Sequence, residues 1–262
     1  MTHFPDVVIN RAKIAPLAKN NKVKIKEIFV TYQGEMPFLG HKAVFVRFGG
    51  CNRGTKTIGC EFCDTRFEWD SSTEMTFEEM KDRIFDLYKD GGCELVVFTG
   101  GEPYLQREAI EYFLSHTGDD FTIQVETNGD YELIVSYNLY NVVSPKASLA
   151  GKFSVRPYWN RACALRFLVE DRESPHIKLP DNIKKFILTN QGDRCMLYLS
   201  PITAYKPSAT EAEIQKGFWG KAIDLVQTKK NYEWAAYLAD ALNNAGVITR
   251  LSLQSHLMFH LK

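Results

Sequence analysis

Short apolar runs that end in glycine or a polar cluster recur along this chain, with helical stretches between them. KAVFVRFG (42–49) leads into GCN, and ELVVFTGGEP (94–103), FTIQVETNG (121–129), LYNVVSPK (139–146) and VITRLSLQSH (247–256) end in TGGEP, ETNG, SPK and QSH. ALRFLVED (164–171), KKFILTNQGD (184–193) and MLYLSP (196–201) read as further strands of the same kind. TFEEMKDRIFDLYKDGG (76–92) reads as an amphipathic helix: Thr76 and Glu79 form a capping box, Met80, Ile84 and Leu87 make the apolar stripe, and Gly91 is the stop. Helices are also expected over Tyr104–His116 and Asn231–Ala245, the latter stopped by Gly246. Strands alternating with helices predict an α/β fold: a partial (β/α) barrel of about six parallel strands, with its site at their C-terminal edge.

Residues 66–75 and 147–164 read as loops or insertions, and 200–230 stays ambiguous. At 262 residues the chain suits one large domain, set at 25–262 behind an N-terminal extension of residues 1–24. Lys+Arg and Asp+Glu balance at 32 each, so no global field draws the protein to nucleic acid or an anionic membrane. The sequence lacks a signal-peptide layout and any run of about eighteen apolar residues. With 6 cysteines in such a context, a cytoplasmic protein without disulfides is expected.

Three of those cysteines lie close together in CNRGTKTIGCEFCDT (51–65). Cys51, Cys60 and Cys63 could hold three irons of a four-iron four-sulfur cluster, with the fourth iron open to a ligand. They could equally bind zinc with a histidine such as His41, or Cys60 and Cys63 could be a redox pair. Cys93, Cys163 and Cys195 are isolated and read as small core hydrophobes. The cysteines alone leave these alternatives open.

The cysteines followed by TGGEP resemble the radical S-adenosylmethionine (SAM) superfamily. EIFVTYQGEMPFLGHKAVFVRFGGCN (27–52), CDT (63–65), ETNG (126–129), SPK (144–146) and RLSLQSH (250–256) narrow the likeness to the 7-carboxy-7-deazaguanine synthases. It spans residues 27–256 and thins between 147 and 249. It implies a lyase that rearranges 6-carboxy-5,6,7,8-tetrahydropterin to 7-carboxy-7-deazaguanine with loss of ammonia, a step towards queuosine-type nucleosides. It also implies a 4Fe-4S cluster on Cys51, Cys60 and Cys63, SAM as the radical source, and magnesium on Thr65. A flavodoxin-like electron donor and a homodimer would follow.

The same resemblance implies the remaining site residues. SAM would be held by Phe62 near the adenine, by the bend Gly100-Gly101-Glu102, and by Glu126, Asn128, Ser144 and Lys146. Glu102 or neighbouring carbonyls would accept from its ammonium. The pterin would meet Gln33, Glu35, Arg47, Gly101 and His256. Arg47 suits a carboxylate, while Gln33 and Glu35 suit an amino-pyrimidine edge. Each type also has an ordinary structural use, as a strand arginine, turn residues or a structural histidine, and Asp64-Thr65 could be a helix cap.

Three features depart from the family pattern. The first cysteine gap is eight residues long, so RGTKTIG should bulge out without moving the thiols. Leu257 stands where relatives carry lysine after the histidine. Residues 1–24 and 147–185 exceed what a minimal member needs. The alternatives are another small radical SAM enzyme, such as a glycyl-radical activase, or a zinc-stabilised binding module.

Overall fold

The computed structural model of the chain describes residues 21–53, 72–146, 154–171, 181–190, 195–214 and 222–259. They fall into two compact units, one of Met1–Thr31 with His41–Val143, the other of Tyr32–Gly40 with Ser144–Lys262.

The first unit is built on β1 (Lys22–Tyr32), β2 (Lys42–Phe48), β3 (Thr73–Thr76), β4 (Leu95–Gly100), β5 (Ile123–Thr127) and β6 (Leu139–Val143). Their order across the sheet is β3-β1-β2-β4-β5-β6. β2, β4, β5 and β6 run parallel in register, and β3 adds antiparallel to β1. Leu95, Val96, Val97 and Phe98 of β4 are all fully buried, as a strand covered on both faces requires.

Helix α1 (Phe77–Gly91) starts where the capping box predicts. The Thr76 hydroxyl accepts from the Glu79 N–H at 3.1 Å, and the Glu79 carboxylate accepts from the Thr76 N–H at 2.7 Å. The stop falls one residue later than expected, because Gly92 takes the left-handed conformation (φ 56°). Phe77, Met80 and Ile84 are its buried stripe. Phe85 stacks on Phe121 at 5.1 Å, and Phe113 of α2 (Arg107–Thr117) meets both rings edge-on. The helix expected over Tyr104–His116 divides into a 3₁₀ turn, Pro103–Gln106, and α2.

Two strands here were not expected. β1 carries a plain alternation in KVKIK, and Val23 and Ile25 are buried; it begins at Lys22, inside the segment set aside as an extension. β3 takes in residues 73–75 of the stretch read as a loop over 66–75 and ends at Thr76.

The second unit has β7 (Ala164–Val169), β8 (Met196–Pro201) and β9 (Thr249–Leu251), all parallel. Among the described residues the parallel runs therefore contain four strands and three, close to the six expected. KKFILTNQGD is not a strand: α3 covers Asp181–Asn190. Its apolar core is three residues long, too short for periodicity to separate helix from strand. In α3, Ile187 is buried while Lys185, Leu188 and Thr189 are exposed, a helical spacing.

A one-turn helix, α4 (Glu211–Ile214), follows β8, and α5 (Leu225–Asn244) begins six residues before the expected Asn231. The cause is Asp224, whose carboxylate caps the Val226 and Gln227 N–H groups at 3.1 and 3.0 Å. Gly246 (φ 82°) ends α5, with the Val247 N–H donating back to the Leu242 carbonyl at 2.9 Å. The final strand is shorter than VITRLSLQSH suggests, and Ser255–Phe259 form a short helix, α6.

Candidate active site

In the first unit the ends of β2 and β4 are stitched together by backbone. The Gly101 N–H donates to the Phe48 carbonyl at 3.1 Å, and the Glu102 N–H to the Gly50 carbonyl at 2.9 Å. This sets the Gly100-Gly101-Glu102 bend beside the residues that lead into Cys51. Only glycine fits there: a Cβ on Gly101 would lie 1.7 Å from the Gly50 oxygen, and Gly100 has φ 121°.

Glu102 is fully buried. Its carboxylate accepts from the Tyr104 N–H (3.0 Å), the Thr127 hydroxyl (2.7 Å) and the Asn128 N–H (2.8 Å). Burial nevertheless outweighs these donors and pushes its pKa from 4.5 up to about 7. Glu102 therefore ties the β4 bend to the end of β5.

A second network continues from Asn128, itself buried. Its Nδ2 donates to the Asn52 Oδ1 at 2.8 Å, and its Oδ1 accepts from the Asp130 N–H at 2.9 Å. Asp130 in turn accepts from Asn52 Nδ2 (2.8 Å) and from Arg53 through Nε (2.6 Å) and Nη2 (2.9 Å). The Arg53 N–H donates to the Cys51 sulfur at 3.4 Å. Glu126, also at the end of β5, accepts from the Gln124 amide.

Arg47, on β2 in register with Thr99, is held by Glu27 (Nε to Oε1, 2.9 Å) and lies over the Phe29 ring. His41 precedes β2 and pairs with Glu94 at the surface, at 3.0 Å. The seven residues of β2 separate it from the Cys51 end by roughly 20 Å. It cannot complete a zinc site with Cys51. Cys93 and Cys195 are buried, as expected of core thiols, and burial raises the Cys195 pKa to about 12. Cys163 is only half-buried.

In the second unit Gly34, between Gln33 and Glu35, packs on Ser255 and His256. The Gly34 carbonyl accepts from the Ser255 N–H (3.1 Å) and hydroxyl (2.8 Å). A Cβ on Gly34 would come within 2.7 Å of His256 Cβ. Gln33, 4% exposed, closes the turn by accepting the Glu35 N–H at 3.1 Å. Glu35 pairs with Arg166 of β7 at 3.1 Å, with side chains only 14% and 8% exposed. His256 sits in the first turn of α6, not at the end of a strand as expected. Leu257 follows it in α6 and is half-buried. Lys146 Nζ donates to the Ser144 hydroxyl at 2.8 Å.

The structure thus gathers Gln33, Glu35 and His256 in one unit. It gathers Cys51, Gly100, Gly101, Glu102, Glu126 and Asn128 at one sheet edge in the other. Cys60, Phe62, Cys63 and Thr65 lie outside the described residues. Asn52, Arg53, Asp130 and Arg166 were not singled out from sequence. Arg166 left a signal, a charge inside the apolar run ALRFLV that needs a buried partner. Asn52, Arg53 and Asp130 left none, because their partnership joins residues 77 or more positions apart.

A model of the radical SAM superfamily matches residues 45–143. The 7-carboxy-7-deazaguanine synthase of Hyperthermus butylicus is 32% identical over 208 residues, 72% of this chain and 81% of its own length. That of Pyrobaculum aerophilum is 32% identical over 212 residues, 77% of this chain and 88% of its own. The chain belongs to the 7-carboxy-7-deazaguanine synthase family.

The fold agrees with that membership. A crystal structure of QueE from Escherichia coli superposes with a TM-score of 0.57 at 22% identity, covering 90% of this chain and 95% of that one. The α/β partial barrel of radical SAM type is borne out, as are a 4Fe-4S cluster and SAM as the family's cofactors. The residues present fit them. Cys51 stands directly beside the glycine bend, and its sulfur is within reach of a backbone N–H that can support a metal-bound sulfur. No helix among the described residues is long and apolar enough to cross a membrane.

Proposed function

We propose that the protein converts 6-carboxy-5,6,7,8-tetrahydropterin to 7-carboxy-7-deazaguanine with loss of ammonia, in 7-deazaguanine biosynthesis. The observation that carries this is the joining of the Gly100-Gly101-Glu102 bend to the strand end that bears Cys51, in a chain 32% identical to synthases of that name. A glycyl-radical activase and a zinc-stabilised module are set aside by family membership, the latter also by the surface pairing of His41.

Cys51, Cys60 and Cys63 would hold the cluster, which with SAM supplies hydrogen-atom abstraction from the substrate. The chain's residues bind and orient. Because the Glu102 carboxylate already takes three donors, carbonyls of the Gly100-Gly101 bend are the better acceptors for the SAM ammonium. Glu126, Asn128, Ser144, Lys146 and Phe62 complete SAM binding. Gln33 and Glu35 read the amino-pyrimidine edge of the pterin, with Gly101 and His256 as further contacts. Arg47, oriented by Glu27, takes the pterin carboxylate. Magnesium on Thr65 would hold the same carboxylate through hard oxygen ligands and fix its orientation. A flavodoxin-like donor, a homodimer, a cytoplasmic location and a single domain that begins with β1, at Lys22 rather than residue 25, complete the reading.

Its test is SAM turnover. Anaerobically reconstituted protein with reductant and SAM should form 5′-deoxyadenosine, and the yield should respond to added 6-carboxytetrahydropterin but not to tetrahydropterin lacking the carboxylate. Cys60→Ala should abolish it. A yield indifferent to the pterin would overturn the substrate assignment.

A further inference from the structure

The eight-residue gap between Cys51 and Cys60 raises a physical problem. The longer the stretch between two ligands, the more chain entropy opposes gathering their thiols. The structure answers it at the two residues that follow Cys51. Arg53 and Asp130 form a two-pronged ion pair at 2.6 and 2.9 Å, with side chains only 19% and 17% exposed. Asn52 donates to the same carboxylate and accepts from Asn128, whose N–H is held by buried Glu102. The residues after Cys51 are thus fixed to the end of β5 and, through it, to the glycine bend.

We propose that Arg53 and Asp130 are a positioning clamp that presets Cys51 as a cluster ligand despite the long gap. The inference rests on the assignment of Cys51 to the cluster. It does not depend on the identity of the substrate. An ordinary surface ion pair is worth little and is screened by salt. This one is bidentate, three-quarters or more shielded, and its carboxylate also accepts from the Asn52 side-chain amide, which Asn128 holds in turn. Arg53 also reaches the sulfur through its own N–H, so displacing its side chain shifts a group in contact with the thiolate. Partners of this kind, one step removed from a metal, change metal affinity by about ten- to a hundredfold when lost.

The experiment uses the full chain, anaerobically loaded with iron and sulfide. Wild type, Arg53→Met, Arg53→Lys, Asp130→Asn and the Arg53→Met/Asp130→Asn double variant are compared. The readouts are the rate of iron loss to a ferrous chelator, the EPR spectrum of the reduced cluster with and without SAM, and the melting temperature of iron-free protein. Arg53→Met and Asp130→Asn should each lose iron about tenfold faster or more. The double variant should be no worse than either, and Arg53→Lys should fall between, keeping charge but not the fork. The iron-free melting temperature should fall by about 4 °C or less. Wild-type rates in Arg53→Met would overturn the clamp, as would faster iron loss accompanied by a much larger fall in melting temperature. If wild type itself takes up no cluster, the assignment of Cys51 fails and the clamp with it.

Discussion

Replacing Glu102 by glutamine separates the two forces acting on this carboxylate. Its three donors favour the charged form, while complete burial opposes it, and burial wins: the pKa rises from 4.5 to about 7. In the unfolded chain the group loses its proton near 4.5, whereas the folded protein keeps it until about 7. Folding therefore binds a proton between those values. The stability Glu102 contributes is complete below the unfolded pKa and is lost as pH rises through the folded one. The whole loss is about 3 kcal/mol. Glutamine cannot titrate. Its amide N–H must face one of the three donors, a pH-independent penalty of about 1–3 kcal/mol. Urea denaturation of iron-free wild type and Glu102→Gln at pH 5 and pH 8 measures both, since every other titrating group cancels in the difference. The wild-type advantage should shrink by about 2.5 kcal/mol from the lower pH to the higher, because the first part of the loss has already occurred at pH 5. An advantage constant to within about 1 kcal/mol, or one that grows, would show that the donors balance burial and that the reasoning is wrong.

Two further substitutions test one contact in each unit. Gly101→Ala pushes a methyl group to 1.7 Å from the Gly50 oxygen, where backbone cannot slide aside. It should cost about 3 kcal/mol in urea denaturation, and an unchanged midpoint would mean the stitching of β2 to β4 is loose. Arg166→Met strands the Glu35 carboxylate in a largely buried setting and should cost about 3–5 kcal/mol, with Arg166→Met/Glu35→Gln recovering much of the loss. No recovery in the double variant would mean that Arg166 acts through contacts other than Glu35.

The parallel strands were legible because each is a short apolar run closed by glycine or polar residues, and the glycine bend and Cys51 could be placed at their ends for the same reason. The capping box gave the start of α1 to the residue, since its two hydrogen bonds are local. KKFILTNQGD carries only three adjacent apolar residues, which fit either period, and the cap of α5 at Asp224 lies outside its amphipathic stretch. The contents of the site were harder. Gln33 and Glu35 could be named from the resemblance, but the seat of Gly34, between them, on Ser255 joins residues 221 positions apart. The same holds for Arg53 with Asp130. Long-range polar pairing leaves no periodicity, so only a charge in an apolar strand, as at Arg166, announces it.

Product formation tests the central claim most directly. Reconstituted protein with SAM, magnesium, reductant and 6-carboxy-5,6,7,8-tetrahydropterin would be analysed by mass spectrometry for 7-carboxy-7-deazaguanine. The account predicts its appearance, together with ammonia, and its loss in Cys60→Ala. Cluster-loaded protein that cleaves SAM while leaving the pterin intact would contradict it.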